Sequence, residues 1–206
     1  MQGHRAFAGL TLALALTGAA TAQTPPAPYP ARAVLDAFRA ACGELGSVES
    51  AAKRAAAAGW APVSDRDATP LGRVIALGEA SATQLLAKEG GRMAPTRLLT
   101  RTIDGEALHL LLTGVSLQGT RVVGCRLYDV GETRALPPGE MSAWLGREPI
   151  DTVMRGGMVQ TVWEPGLSPA QETVELFFVR GTDAVTANTQ VAGIALKADQ
   201  MGKEQD

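Results

Sequence analysis

Few side chains in this sequence bring chemistry of their own. Histidine stands only at His4 and His109, and cysteine only at Cys42 and Cys125. His109 sits in "EALHLLLTGV", a strand-like run. Strand alternation puts it on one face with Thr100 and Tyr128, and Arg126 comes next along that face. An imidazole, a phenol, a guanidinium and a hydroxyl gathered there suit a small anion or a polar ligand. The competing reading is the solvated side of an antiparallel sheet, which uses the same residue types with no ligand. Leu98 and Leu111 share the face, and exposed apolar clusters mark grooves or partner surfaces.

Other candidates are weaker. "SAAK", Ser50 to Lys53, has the Ser-x-x-Lys spacing of the penicillin-recognising enzymes. The two further elements those enzymes need do not follow, and "SDR" at Ser64 departs from the second. Asp65 and Asp67 alternate in "SDRD", but a calcium loop needs a glycine and a bidentate glutamate after them. A Ser-His-Asp set around His109 lacks a Gly-x-Ser-x-Gly elbow. Trp60, Trp144 and Trp163 read as core or loop anchors. No phosphate-binding glycine loop, His-Glu-x-x-His pair or Cys-x-x-Cys is present. The sequence therefore calls for no cofactor and no metal.

The compartment follows from the first residues. "MQGHR" precedes the uncharged run "AFAGLTLALALTGAA", and "ATA" supplies small residues for a signal peptidase, with cleavage expected after Ala22. The run is shorter than the ~20 residues of a bilayer span, so an anchor is the lesser reading. "TPPAPYPAR" then makes a proline-rich tether over 23–32. With 19 Lys and Arg against 21 Asp and Glu the net charge is −2, and losing Arg5 with the leader makes it −3. That balance gives no case for nucleic acid. An exported chain with two cysteines pairs them, because the compartment is oxidising. Cys42 lies on an apolar helical stripe, a poor place for a reactive thiol. Closing the loop from 42 to 125 is worth roughly 4 kcal/mol in the chain-entropy model.

These residues need elements to hold them. Val34, Phe38, Ala41, Cys42 and Leu45 recur at helical spacing over 32–45. Ser47 caps a second helix that runs to Gly59. "RVIALGEASATQLLAKEGG" is ambiguous, with a helix favoured near Glu79 to Lys88. Asp104-Gly105 and Gln118-Gly119 are hairpin turns. They pair Leu99 with Leu110 and Leu112 with Cys125. One face then carries Leu99, Leu108, Leu110, Leu112, Val123, Cys125 and Leu127, and the helix bearing Cys42 must cover it. A short helix around Met141 and Trp144 follows, then strands at Met158–Trp163, Thr173–Arg180 and Val191–Lys197. The expected fold is one α+β domain over 33–198 with a polar tail at 199–206. Its meandering, mostly antiparallel sheet has about six strands, with N-terminal helices packed on one face.

Phe38-x-x-x-Cys42, an Ala-rich helix ending at Gly59-Trp60, and Cys125 in a later strand resemble a set of small exported proteobacterial proteins. The resemblance implies a periplasmic location and the Cys42–Cys125 disulfide, and no activity. The reading that results is a periplasmic or secreted, non-catalytic protein. It binds a protein partner or small ligand through the open sheet face, at His109, Tyr128, Arg126 and Thr100. No membrane span remains after signal removal. Two alternatives stand beside it: a small hydrolase using His109 with Tyr128 or Arg126, and a structural or stress-related envelope protein with no ligand.

Overall fold

The computed structural model describes residues 27–182, 184–189 and 191–203; the expected signal peptide lies outside them. Helix α1, Ala31–Cys42, buries Val34, Leu35, Phe38, Ala41 and Cys42 along one side. Helix α2, Val48–Ala57, opens on a capping box. The Ser50 amide donates to Ser47 Oγ at 3.0 Å and the Ser47 amide to Ser50 Oγ at 2.8 Å, which satisfies two otherwise orphaned donors.

Strands β2 (Arg92–Ile103), β3 (Glu106–Leu117) and β4 (Thr120–Val130) form a meander with the expected register, Leu99 facing Leu110 and Leu112 facing Cys125. Both turns carry positive φ at both residues, Asp104 and Gly105 at 48° and 92°, Gln118 and Gly119 at 52° and 75°. That is the backbone a two-residue hairpin demands.

The sheet is larger than expected. Among the described residues it has eight strands, the others being β1 (Ala61–Pro62), β5 (Asp151–Arg155), β6 (Met158–Trp163), β7 (Val174–Val179) and β8 (Gly193–Lys203), all antiparallel neighbours in the order β1-β2-β3-β4-β8-β7-β6-β5. The additions are its two edges, β1 against β2 and β5 against β6. Neither has a hydrophobic alternation: β1 is two residues long, and β5 is exposed at four of five positions. Beyond β6, β7 pairs with β8, and β8 pairs with β4. The expected tail at 199–206 is therefore strand as far as Lys203, since polar side chains on a paired strand do not prevent its ladder. A short helix, α5 (Ala184–Thr189), lies between β7 and β8.

The main core lies between one sheet face and α1, α2 and α4 (Pro138–Leu145). Cys42 and Cys125 are joined across it with Cα atoms 5.8 Å apart. Gln171 Nε2 donates to the Cys42 carbonyl at 2.7 Å, tying the β6–β7 loop to the end of α1. Trp163 Nε1 donates to Ser142 Oγ at 3.1 Å, holding α4 to β6.

Helices do not all lie on that face. Helix α3, Gly72–Glu89, crosses the opposite one. Leu71 and Ile75 pack there on Leu98 of β2 and Leu111 of β3, with Val74, Tyr128 and Val130 at the margin. The open sheet face expected from the sequence is thus partly roofed. Among the described residues no helix is long and apolar enough to cross a membrane.

Candidate functional site

The row expected on the outer face exists. Thr100 pairs with His109, and His109 with Tyr128, in one line across β2, β3 and β4; Leu111 faces Arg126 one step along. What α3 does to this row differs along it. Thr100 is engaged locally, its Oγ1 donating to the Leu108 carbonyl at 3.0 Å. His109 is half-buried, and burial lowers its pKa below the ordinary imidazole value. Its Nδ1 is enclosed without a partner. Neither residue lines any of the hollows that α3 leaves against the sheet, two of which meet over β4.

Tyr128 and Arg126 line both. The first hollow, about 300 Å³, lies under the middle of α3 against β2, β3 and β4. It exists because the helix is anchored near its two ends, by Ile75 and Leu86, and presents Gly78 and Ala82 between them. A Cβ placed on Gly78 would meet nothing within 4 Å. The floor carries Thr96, Leu111, Thr113 and Val115. Thr96 Oγ1 is enclosed with no hydrogen-bond partner.

The second hollow, about 220 Å³, lies beside the first turn of α3 over β8 and β7. Val74, Phe177, Val179, Val191 and Ala195 give it apolar walls. Val74, Arg126 and Tyr128 belong to both hollows, so the two meet at those three side chains.

A chain of polar contacts runs across strands β3, β4, β8, β7 and β6 beneath this junction. Arg126 Nη1 donates to Thr113 Oγ1 at 3.1 Å, while its Nη2 stands 3.7 Å from Asp199 Oδ1, too far for a hydrogen bond. Lys197 Nζ meets Asp199 Oδ2 at 3.0 Å and Glu175 Oε1 at 2.6 Å. Gln160 Nε2 then donates to Glu175 Oε2 at 2.6 Å. Lys197 is held above its ordinary pKa against the effect of burial, through Glu175 and Asp199. The Tyr128 hydroxyl is raised by burial, partly offset by the charges of Arg126 and Lys197.

A second titratable cluster sits at the end of β4, on the inner face. Asp129 is 4% exposed, and its Oδ2 has no hydrogen-bond partner. Burial pushes its carboxyl up to about 6, with the nearby charges of Glu106 and Glu132 adding to the effect. Arg134 bridges Glu106, at 2.6 Å, and Glu132, and its hydrogen bond holds Glu132 down at about 2. The Tyr29 hydroxyl lies close enough to Asp129 for burial and that carboxyl to raise it strongly, but not in hydrogen-bonding geometry. Arg134 Nη1 also donates to the Ala27 carbonyl at 3.1 Å, so this cluster fastens the segment entering α1.

Of the four residues singled out in the sequence, Tyr128 and Arg126 line the hollows; the sequence did not point to what faces them, Val74, Gly78 and Ala82 on α3, and Phe177 and Lys197 on the later strands. A glycine at the centre of a helical run was the available signal for a gap.

The architecture defines an eight-stranded antiparallel α+β protein with helices on both faces, an internal disulfide, and a partly roofed outer slot. Compared with known families, curated proteins and solved structures, the chain matches no family model, no curated protein and no solved structure.

Proposed function

We propose that this is a periplasmic protein that binds a small molecule in the slot between α3 and the outer sheet face, without chemically changing it. The observation that supports the reading is the meeting of two hollows at Tyr128 and Arg126, under a helix that offers glycine and alanine where close packing calls for larger side chains. A concave, mainly apolar space with a few converging polar groups is the usual form of a ligand site. Export rests on the leader-like first residues and agrees with the Cys42–Cys125 bond.

The ligand reading takes over from binding at an open sheet face, because α3 roofs part of that face. It also moves the centre of the site from His109 and Thr100 to Tyr128 and Arg126. A hydrolase built on His109 has less support, because the imidazole lies outside both hollows and Nδ1 has no carboxylate to orient it.

A thermal-shift screen on the oxidised protein, run beside Val74→Phe, tests the reading. Phenylalanine at 74 stands where the two hollows meet and narrows both. Compounds that bind there raise the melting temperature of the wild type and have a reduced effect on the variant. A broad library that shifts neither protein, or shifts both alike, defeats the proposal.

A further inference from the structure

The two halves of the slot differ in chemistry, and the difference constrains the ligand. Among the described residues, the only charged side chains lining the hollow over β7 and β8 are Arg126 and Lys197; the rest of its wall is mainly aliphatic or aromatic, with Val74, Phe177, Val179 and Val191. Lys197 is held by Glu175 and Asp199 at 2.6 and 3.0 Å. Arg126 is held more loosely: one nitrogen donates to Thr113, and the other is ion-paired with Asp199 at 3.7 Å, beyond hydrogen-bonding range, which leaves it donors for a ligand. Beside it, Tyr128 lines both hollows, and Thr96 Oγ1, on the floor of the hollow under α3, is enclosed and unpartnered. The junction therefore presents hydrogen-bond donors, one of them permanently cationic, at the mouth of an apolar hollow.

We infer that the ligand is a medium-chain monocarboxylate, its tail in the hollow over β7 and β8 and its carboxylate between Arg126 and Tyr128. The inference rests on the outer slot being a binding site, and deepens that reading by naming the ligand's class. A guanidinium and a phenol can both donate to one carboxylate, and charge-assisted bonds of this kind are the strong ones. The two carboxylates near the head group are each compensated: Arg66 Nη1 holds Glu79 at 2.7 Å on the α3 side, and Lys197 holds Asp199, the partner of Arg126, at 3.0 Å. The size of the tail follows from the space. At about 30 Å³ per water-sized group, 220 Å³ takes roughly seven such groups. The best acid is accordingly near octanoate in length. Shorter acids leave apolar wall uncovered, and much longer ones outgrow the hollow.

The experiment is calorimetric titration of the oxidised protein with octanoate, octanol and octylamine, which share a tail and differ in the head. A series of acids from butanoate to tetradecanoate is run beside them. Octanoate is expected to bind at least tenfold more tightly than octanol, with octylamine weaker still. Affinity should rise with chain length to about eight carbons and then level or fall. Arg126→Gln should bring octanoate down to the level of octanol. Tyr128→Phe, which removes only a hydroxyl, should weaken octanoate several-fold and leave octanol unchanged; it keeps the test intact if the Arg126 variant does not fold.

Octanol or octylamine binding as tightly as octanoate overturns the class of ligand. So does Tyr128→Phe with unchanged octanoate affinity. Failure of all three amphiphiles also overturns it. In each of those cases the reading of the slot as a ligand site stands or falls separately, on the library screen with Val74→Phe.

Discussion

Replacing Asp129 with asparagine is expected to stabilise the protein at neutral pH and flatten its stability between about pH 4 and about pH 7. The wild-type carboxyl is 4% exposed and titrates at about 6, against 3.8 for the same group in an open chain. Between those values the folded state holds a proton that the unfolded state has released, so stability falls as pH rises through the window. The gap is about two pH units, and at ~1.4 kcal/mol per unit it comes to about 3 kcal/mol above pH 6 at most. Glu132 acts in the other direction. Held at about 2 by Arg134, it contributes stability that is present above 4.5 and lost as the solution is acidified below it. The two effects overlap only at the acid end of the window. His109, its pKa lowered by burial, adds stability as pH rises toward 6.5, equally in wild type and variant, so the difference between the two proteins isolates Asp129. Asparagine keeps the shape of Asp129, removes the charge and faces the same Tyr29, Glu106, Glu132 and Arg134. The assay is urea unfolding followed by fluorescence of the three tryptophans, Trp60, Trp144 and Trp163, all buried, across a series of pH values. The wild type should lose midpoint as pH rises through about 6, and the variant should not. A wild-type midpoint that does not fall relative to that of the variant over that range refutes the reasoning, as does an Asp129→Asn protein less stable at neutral pH.

Converting both Cys42 and Cys125 to serine opens a loop with a sequence separation of 83, and calorimetry should show a loss of about 4 kcal/mol. Gly78→Ala should gain about 1 kcal/mol in chemical unfolding, because alanine is the better helix former and its methyl meets nothing within 4 Å. Gly193→Ala should lose more than about 2 kcal/mol, since φ is +112° there and the added Cβ would stand 2.1 Å from the Asp129 carbonyl.

The central meander was legible because three signals agreed. The Asp104-Gly105 turn, the Gln118-Gly119 turn and the apolar alternation all required the same register, and Leu112 opposite Cys125 followed from it. The disulfide was legible for a different reason: a buried cysteine on each of two amphipathic elements leaves little freedom in how they pack. Helix α3 was only half legible. Its apolar residues do not gather on one stripe, and its few buried positions, Gly72, Ile75 and Leu86, are spaced too widely to give a clear period. Its first two turns were therefore missed, and with them the roof over Tyr128. The edge strands β1 and β5 owe their conformation to a neighbour's ladder, so their own side chains announce nothing. At the site, the row Thr100–His109–Tyr128 could be placed by parity alone. Which member faces a hollow depends on where a distant helix lands, and parity carries no information about that.

The pairing of β8 with β4 has a consequence for biogenesis. Residues 92–130 can zip into a ribbon as soon as they emerge during synthesis, and so can 151–179. Each ribbon then shows a bare flank of amide and carbonyl groups, along β4 and along β7, until Gly193–Lys203 arrives to fill both. A chain stalled or clipped before that segment would carry two unsatisfied rims able to recruit strands from other molecules. Holdase chaperones and proteases would meet this protein in that brief, half-paired form.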